Sequence, residues 1–368
     1  MIEQTLKAPF PWFGGKSRAA SLVWERFGAV QNYVEPFFGS GAVLLARPSV
    51  AGRTRETVND YSRFLANFWR ALALDPQGVA RHCDYPVSEV DLTSRHKWLV
   101  TRGVAILDAL DMDCDPLAFD ARIAGWWVWG LCQWIGSGWC PGDGRTVPGR
   151  ISEQLPEVDG AKHGRGVHRA QCPDISSVQH GRGVHGLPRV AEQIPHLSSS
   201  GCGGHRNLSV TEHRKGLDTW FAHMSQRLRH VRVVCGDWSR VCTNSALDCK
   251  GRVLTGVFFD PPYDDHGVVY RQGGATDGEQ GQTVGQRVSA WCLANGDNPK
   301  MRIALCGYEG EHDHLEDAGW SVVAWKAAGG YARGSLLNDN ANRERVWFSP
   351  HCLGAAQPGL FDALGGAA

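Results

Sequence analysis

The stretch VLTGVFFDPPY, residues 253–263, limits the fold more than any other part of this 368-residue chain. Its apolar run from Val253 to Phe259 reads as a buried strand. Pro261 and Pro262 stop that strand, because proline has no N–H to give to a sheet interior. Asp260 therefore stands at the carboxyl end of a buried strand, the edge at which open α/β sheets bind ligands. Asp and Pro also favour plain turns, so a strand-terminating turn is the competing reading. By residue frequencies the tetrapeptide would arise by chance in such a chain at a rate on the order of 10⁻³, which favours the functional reading.

The strand has neighbours of the same kind. Residues 32–48, NYVEPFFGSGAVLLARP, read as a short strand, a glycine-bearing turn and a helix start whose apolar run, Ala42 to Ala46, ends at Pro48. ETVNDYSRFLANFWRALAL predicts a second strand ending near Val58, then a helix from about Ser62 with Phe64, Leu65, Phe68 and Leu72 on one face. From residue 231 onward, VRVVCGDW, MRIALCGY, WSVVAWKA and RERVWFSP each predict a strand bounded by turn residues, and TVGQRVSAWCLAN predicts a helix. This alternation predicts an α/β fold.

Residues 76–230 interrupt it. In FDARIAGWWVWGLCQWIGSGW, Ile123, Trp127, Leu131 and Trp134 fall at helical spacing, which predicts that most of these Trp residues form the core of a small helical subdomain. The part that follows is low in apolar residues and repeats HGRGVH at 163–168 and 180–185, then GCGGHR at 201–206. So much glycine cannot bury a core of its own. From Arg145 to Arg229 the chain holds 12 Lys or Arg against 7 Asp or Glu, so this region is locally basic. Arg165 and Arg182, at the same place in each repeat, are candidates for gripping phosphates or reading guanine edges, the competing reading being a solvated loop.

Composition excludes several classes. Lys plus Arg equals Asp plus Glu at 38 each, so no global field advertises nucleic acid. No run of 18 apolar residues exists, and no basic segment precedes an apolar one at the start, from which we expect no membrane span and a cytoplasmic protein. The 12 Cys include no C-x-x-C pair, which predicts reduced thiols and no metal site.

PFPWFGGKSR, residues 9–18, contains a Gly-Lys-Ser triplet of the kind that ends a phosphate loop. The phosphate-loop pattern needs a glycine where Phe10 stands and a buried strand ahead of it, and the short polar segment MIEQTLKA cannot supply one. The triplet is therefore read as something else.

Taken in order, Trp12 to Lys16, Glu35 to Gly41, Asp60, the inserted region and Asp260 to Tyr263 resemble the Dam-like D12 class (alpha group) of DNA adenine-N6 methyltransferases. The resemblance implies a Rossmann-like, S-adenosylmethionine-dependent methyltransferase fold. Its catalytic domain is split into residues 1–75 and 231–350 by a mostly helical and loop target-recognition insertion at 76–230, with a flexible tail at 351–368. It implies double-stranded DNA as partner, with no membrane and no obligate protein partner. It assigns Trp12, Lys16, Glu35, Phe37, Gly39, Gly41, Asp60, Asp237, Trp238 and Asp260 to the cofactor. Trp12 would stack on the sulfonium side and Lys16 would hold the methionine carboxylate; Asp237 and Trp238 would take the cofactor adenine.

Residue chemistry supports the same placement. Gly39 and Gly41 let backbone approach a ligand without a Cβ. Glu35 and Asp60 offer carboxylates to an ammonium or to ribose hydroxyls, and Asp60, at the second strand, is the ribose candidate. For catalysis, Asp260 and the Pro261 carbonyl accept both hydrogens of an exocyclic amine, Pro261 and Pro262 fix the main chain, and Tyr263 stacks on a base taken out of the duplex, with Phe38 lining the same pocket. Arg333 and Arg343, near the last strand, are further candidate DNA contacts. Other readings stay open: methylation of cytosine N4, a catalytically silent DNA-binding module, or a small-molecule or RNA methyltransferase.

Overall fold

The computed structural model describes residues 6–10, 12, 15–110, 112, 115, 117–134, 139–140, 210–247, 253–263, 283–325 and 340–354. The HGRGVH repeats, and with them Arg165 and Arg182, lie outside the described residues, as does Arg333.

Seven strands form one sheet: β1 Asn32–Glu35, β2 Arg55–Asp60, β3 Val231–Cys235, β4 Thr255–Phe259, β5 Met301–Tyr308, β6 Ser321–Ala324 and β7 Glu344–Phe348. Their order across the sheet is β3-β2-β1-β4-β5-β7-β6. The first five run parallel, while β7 is antiparallel to both β5 and β6. Every residue of β1 and of β4 is buried, as expected of central strands covered on both faces.

Side-chain alternation divides the sheet between two cores. Tyr33, Phe258, Cys306, Val346 and Phe348 belong to one apolar cluster, and Val34, Val257, Phe259, Leu305 and Trp347 belong to the other. Neighbours in sequence thus point to opposite faces, as the strand period of two requires.

Helices α1 (Ala20–Phe27), α2 (Ala42–Leu45) and α3 (Arg63–Leu74) cover the first face. α3 starts where Ser62 caps it, the side chain accepting from the Leu65 amide at 3.5 Å. The next helix, α4 (Pro76–Cys83), begins at once because Asp75 caps it through the Gly78 amide at 2.8 Å and Pro76 suits a first helical position. Beyond it come α5 (Glu89–Trp98), a π-helical turn at Leu99–Gly103, α6 (Val104–Ala109) and α7 (Ala121–Gln133). α7 is capped by Asp120, which accepts from the Ile123 amide at 2.8 Å.

Packing is continuous across residue 76. Trp127 of α7 lies 5.4 Å from the Phe10 ring and stacks parallel to Phe64 of α3, so the tryptophans of α7 share the core that covers the sheet. Helix α8 (Val210–Leu228) returns the chain to β3 and packs on α3 and α4, with the Ser225 hydroxyl donating to the Ala73 carbonyl at 2.8 Å. The second face is closed by α9 (Asn244–Leu247), α10 (Val284–Asn295) and the 3-10 turn around Leu315. Among the described residues, no helix is long and apolar enough to cross a membrane.

Candidate active site

The strand order reverses direction between β1 and β4, and a crevice opens there beyond the carboxyl ends of the parallel strands. Glu35 ends β1, Asp60 ends β2, Gly236 and Asp237 follow β3, and Asp260 follows β4. All five line a single cavity of about 210 Å³.

One side of this cavity is built from backbone. In the turn after β1, Gly39 and Gly41 adopt the left-handed region, with φ of 48° and 68°. A Cβ on Gly39 would lie 2.7 Å from the Trp12 ring, and one on Gly41 would lie 2.8 Å from Phe38, so both places require glycine. Asp60 holds the turn: its Oδ2 accepts from the Gly39 amide at 3.0 Å and its Oδ1 from the Ser62 amide at 2.9 Å. The Asn59 side chain donates to the carbonyls of Pro36 and Gly236, each at 3.0 Å, and so joins the loops after β1 and β3.

Glu35 is 2% exposed, and its Oε2 accepts from the Tyr33 hydroxyl at 2.8 Å. Burial pushes its carboxyl well above the usual carboxylate range, more than the Tyr33 hydrogen bond pulls it down. A cation brought beside it would offset that rise and favour the carboxylate. At the far end, Asp237 accepts from the Ser239 amide at 3.0 Å and pairs with Arg287 of α10 at 3.5 Å. Trp238 is buried against Phe259, the Arg287 guanidinium lies 5.8 Å over its ring, and its indole N–H meets no acceptor among the described residues.

The other side is built from charges. Lys16, 4% exposed, places its ammonium 2.9 Å from Asp260 Oδ1 and 3.8 Å from Glu344 Oε2. The Tyr263 hydroxyl stands between the same two carboxylates, 3.2 Å from Asp260 Oδ1 and 2.9 Å from Glu344 Oε2. The Lys16 ammonium also lies 5.1 Å above the Tyr263 ring and 5.5 Å from that of Trp325. Burial disfavours the ammonium, yet Asp260, Cys306 and Glu344 together raise its pKa. Burial likewise raises Asp260, against the opposing pull of Lys16 and of the Tyr263 hydrogen bond. Glu344 is raised by burial and by the Asp260 charge, with Lys16 and Tyr263 opposing.

Trp12, Phe37, Phe38, Pro261 and Pro262 line this cavity together with the residues above, so the segments singled out in the sequence meet at one place. Two placements differ in kind from the rest. Lys16, expected at a ligand's carboxylate, has its ammonium on the protein's own Asp260 and Glu344. Arg343 directs its guanidinium over the Tyr308 ring at 4.9 Å. Sequence reasoning missed Glu344, Arg287 and Asn59, all of which line the cavity. The signal for Asn59 was its place beside Asp60; Glu344 and Arg287 had no local signal. Among the described residues, no group of His, Cys, Asp and Glu could hold a metal ion.

Comparison with known proteins adds an independent finding. Residues 12–102 match the family model of the D12 class N6 adenine-specific DNA methyltransferases. No match was found among curated proteins. The matched segment contains Lys16, Glu35, Gly39, Gly41 and Asp60, whereas Asp260 and Tyr263 lie outside it and reach the same cavity through the fold. With its mainly parallel seven-stranded sheet, the chain has a Rossmann-like methyltransferase fold. Over its residues 12–102, the chain is similar to the D12 class of N6 adenine-specific DNA methyltransferases.

Proposed function

We propose that this chain transfers a methyl group from S-adenosylmethionine to N6 of an adenine drawn out of double-stranded DNA. The observation that carries this reading is the shared cavity in which Asp260 meets Glu35 and Asp60.

The chain's polar groups suit that cofactor. Glu35 is a buried carboxylate with no cation in ion-pair distance among the described residues, which fits an ammonium or sulfonium partner. Asp60, at the end of β2 with its carboxylate fixed by the Gly39 and Ser62 amides, is the group we assign to the ribose hydroxyls. Asp237 and Trp238, at the far end, suit the amino group and ring of the cofactor adenine. Trp12, 37% exposed, offers a ring to the cationic centre. When bound, the cofactor supplies a methyl carbon on a sulfonium, a leaving group that departs with the electron pair of its C–S bond.

The exocyclic amine of adenine is a weak nucleophile because its lone pair is delocalised into the ring. Lys16 and Tyr263 both bind Oδ1 of Asp260, which leaves Oδ2 to accept from one amine hydrogen. The Pro261 carbonyl, fixed by two prolines, accepts the other. Both bonds favour a pyramidal nitrogen directed at the methyl, and Asp260 takes up the one proton that N6 releases. Tyr263, anchored through its hydroxyl, presents its ring to the extruded base. Extrusion costs a few kcal/mol, and stacking returns about 1–3 kcal/mol per base, so phosphate contacts must supply the remainder. The basic stretch Arg145 to Arg229, with Arg165 and Arg182, and the later Arg333 and Arg343, are the residues we assign to those contacts.

Incubating the chain with duplex DNA and labelled S-adenosylmethionine, then digesting the DNA to nucleosides, tests this. Label in N6-methyladenine is expected. Label in N4-methylcytosine would replace the substrate base, and DNA binding without transfer would reduce the chain to a binder.

A further inference from the structure

We propose that Glu344 is a positioning residue for methyl transfer: it fixes the Tyr263 hydroxyl and competes with Asp260 for the Lys16 ammonium, and so sets the pH below which Asp260 stops working. This rests on the methyltransferase reading above and assigns to it a residue that none of its motifs contains.

The geometry is that of two carboxylates and one cation. Lys16 touches Asp260 Oδ1 at 2.9 Å and stands 3.8 Å from Glu344 Oε2, so its charge is divided, with the larger share on Asp260. The Tyr263 hydroxyl has one proton and two acceptors, and the shorter contact, 2.9 Å, is to Glu344. The hydroxyl donates to one carboxylate at a time, so Glu344 and Asp260 compete for its proton as they do for the Lys16 charge. Glu344 is 4% exposed, so its charge is not screened by solvent. Each carboxylate thus raises the proton affinity of the other.

The groups around Glu344 come from several elements: Lys16 from the turn before α1, Asp260 and Tyr263 after β4, Cys306 and Tyr308 on β5, and Glu311 beyond β5. Of these only Lys16 is a cation, while Asp260 and Glu311 repel the Glu344 charge. Trp325 accompanies them, its amide donating to the Glu344 carbonyl at 3.2 Å. Removing the Glu344 charge therefore leaves Lys16 wholly to Asp260 and lowers the Asp260 pKa.

Glu344→Gln separates this role from a structural one, since the amide oxygen still accepts from Tyr263 while the charge is lost. The Asp260 carboxyl can be followed directly by carbon NMR of chain labelled at its Asp carboxyls, assigned with Asp260→Asn, without DNA or cofactor. A lower Asp260 midpoint in Glu344→Gln is expected, and an unchanged midpoint would overturn the proposal. In methyl-transfer assays the acid limb of kcat should move to lower pH in Glu344→Gln, and Glu344→Ala should lose about tenfold or more of kcat relative to Glu344→Gln. Equal losses in both variants with an unmoved acid limb would make Glu344 a structural residue only. Should the parent chain move no methyl at all, the functional reading falls, and the positioning role for catalysis falls with it, even where the carboxyl titration still shows the coupling.

Discussion

The two sides of the crevice hold their carboxylates by different means. On the β1 and β2 side, Asp60 is gripped by the amides of Gly39 and Ser62, groups that carry no net charge and do not titrate. On the β4 and β7 side, Asp260 and Glu344 are held by Lys16 and Tyr263, side chains whose protons can move. The grip on Asp60 therefore depends on no partner's charge, as would suit the proposed cofactor pocket. The second side changes its charge pattern with pH, as suits a place where an amine gives up a proton.

Five measurements would break or sharpen this contrast, beginning with the largest effect. Asp260→Ala removes the acceptor that we propose at the reacting amine and should cut labelled methyl incorporation by about 10²–10³-fold or more, while circular dichroism stays near the parent. Retained activity would place the chemistry elsewhere. Lys16→Met leaves two buried carboxylates without their cation and should destabilise the fold by about 3 kcal/mol in denaturant titration. The sign of its pH dependence follows from the raised values of Asp260 and Glu344. Carboxyls with raised folded pKa bind protons more tightly in the fold, so their contribution to stability is present in acid and falls as pH climbs through those values. The cost of Lys16→Met should thus be greatest near neutrality and shrink in mild acid.

A third measurement concerns the parent chain. Because Asp260 must be ionised to accept from the amine, and burial raises it, the acid limb of kcat should lie above the ordinary aspartate value of 3.8. Lys16→Met should push that limb higher still. On the backbone-built side, Asp60→Asn exchanges one acceptor for a donor and should cost about 1–3 kcal/mol of cofactor binding by calorimetry. Gly39→Ala forces a Cβ into a left-handed position against Trp12 and should cost about 1–2 kcal/mol of stability, read as a lower Tm.

How much of this was legible beforehand depends on whether a residue carries its neighbourhood with it. The strands were readable because apolar runs such as VFF in β4 end at turn residues, and Ser62 announced α3 by its type and place. Asp260 was readable because two prolines mark the end of its strand. Glu344 was not, because it sits between Arg343 and Arg345 and resembles any charged surface stretch. It becomes a site residue through tertiary structure alone, when β7 inserts antiparallel beside β5 and brings it against Tyr263, 81 residues away in sequence. The partner of Lys16 was hidden for the same reason. The segment around Trp12 pointed to a pocket, but spacing gave no hint that Asp260 rather than a ligand would meet the ammonium. The tryptophans of α7 were readable as core, yet their periodicity could not say whose core, and Phe10 and Phe64 supply the answer.

The position of β7 in the sheet also bears on synthesis. The cavity takes residues from Trp12 near the start to Glu344 late in the chain, and that last strand is the one that wedges between β5 and β6. A growing polypeptide on the ribosome therefore holds Lys16 and Asp260 long before it holds their third partner. Until the stretch around 344–348 has emerged and slotted in, the sheet has a gap and the charge network is short of a member. Fragments that stop before β7 therefore lack Glu344 and its contacts with Lys16 and Tyr263.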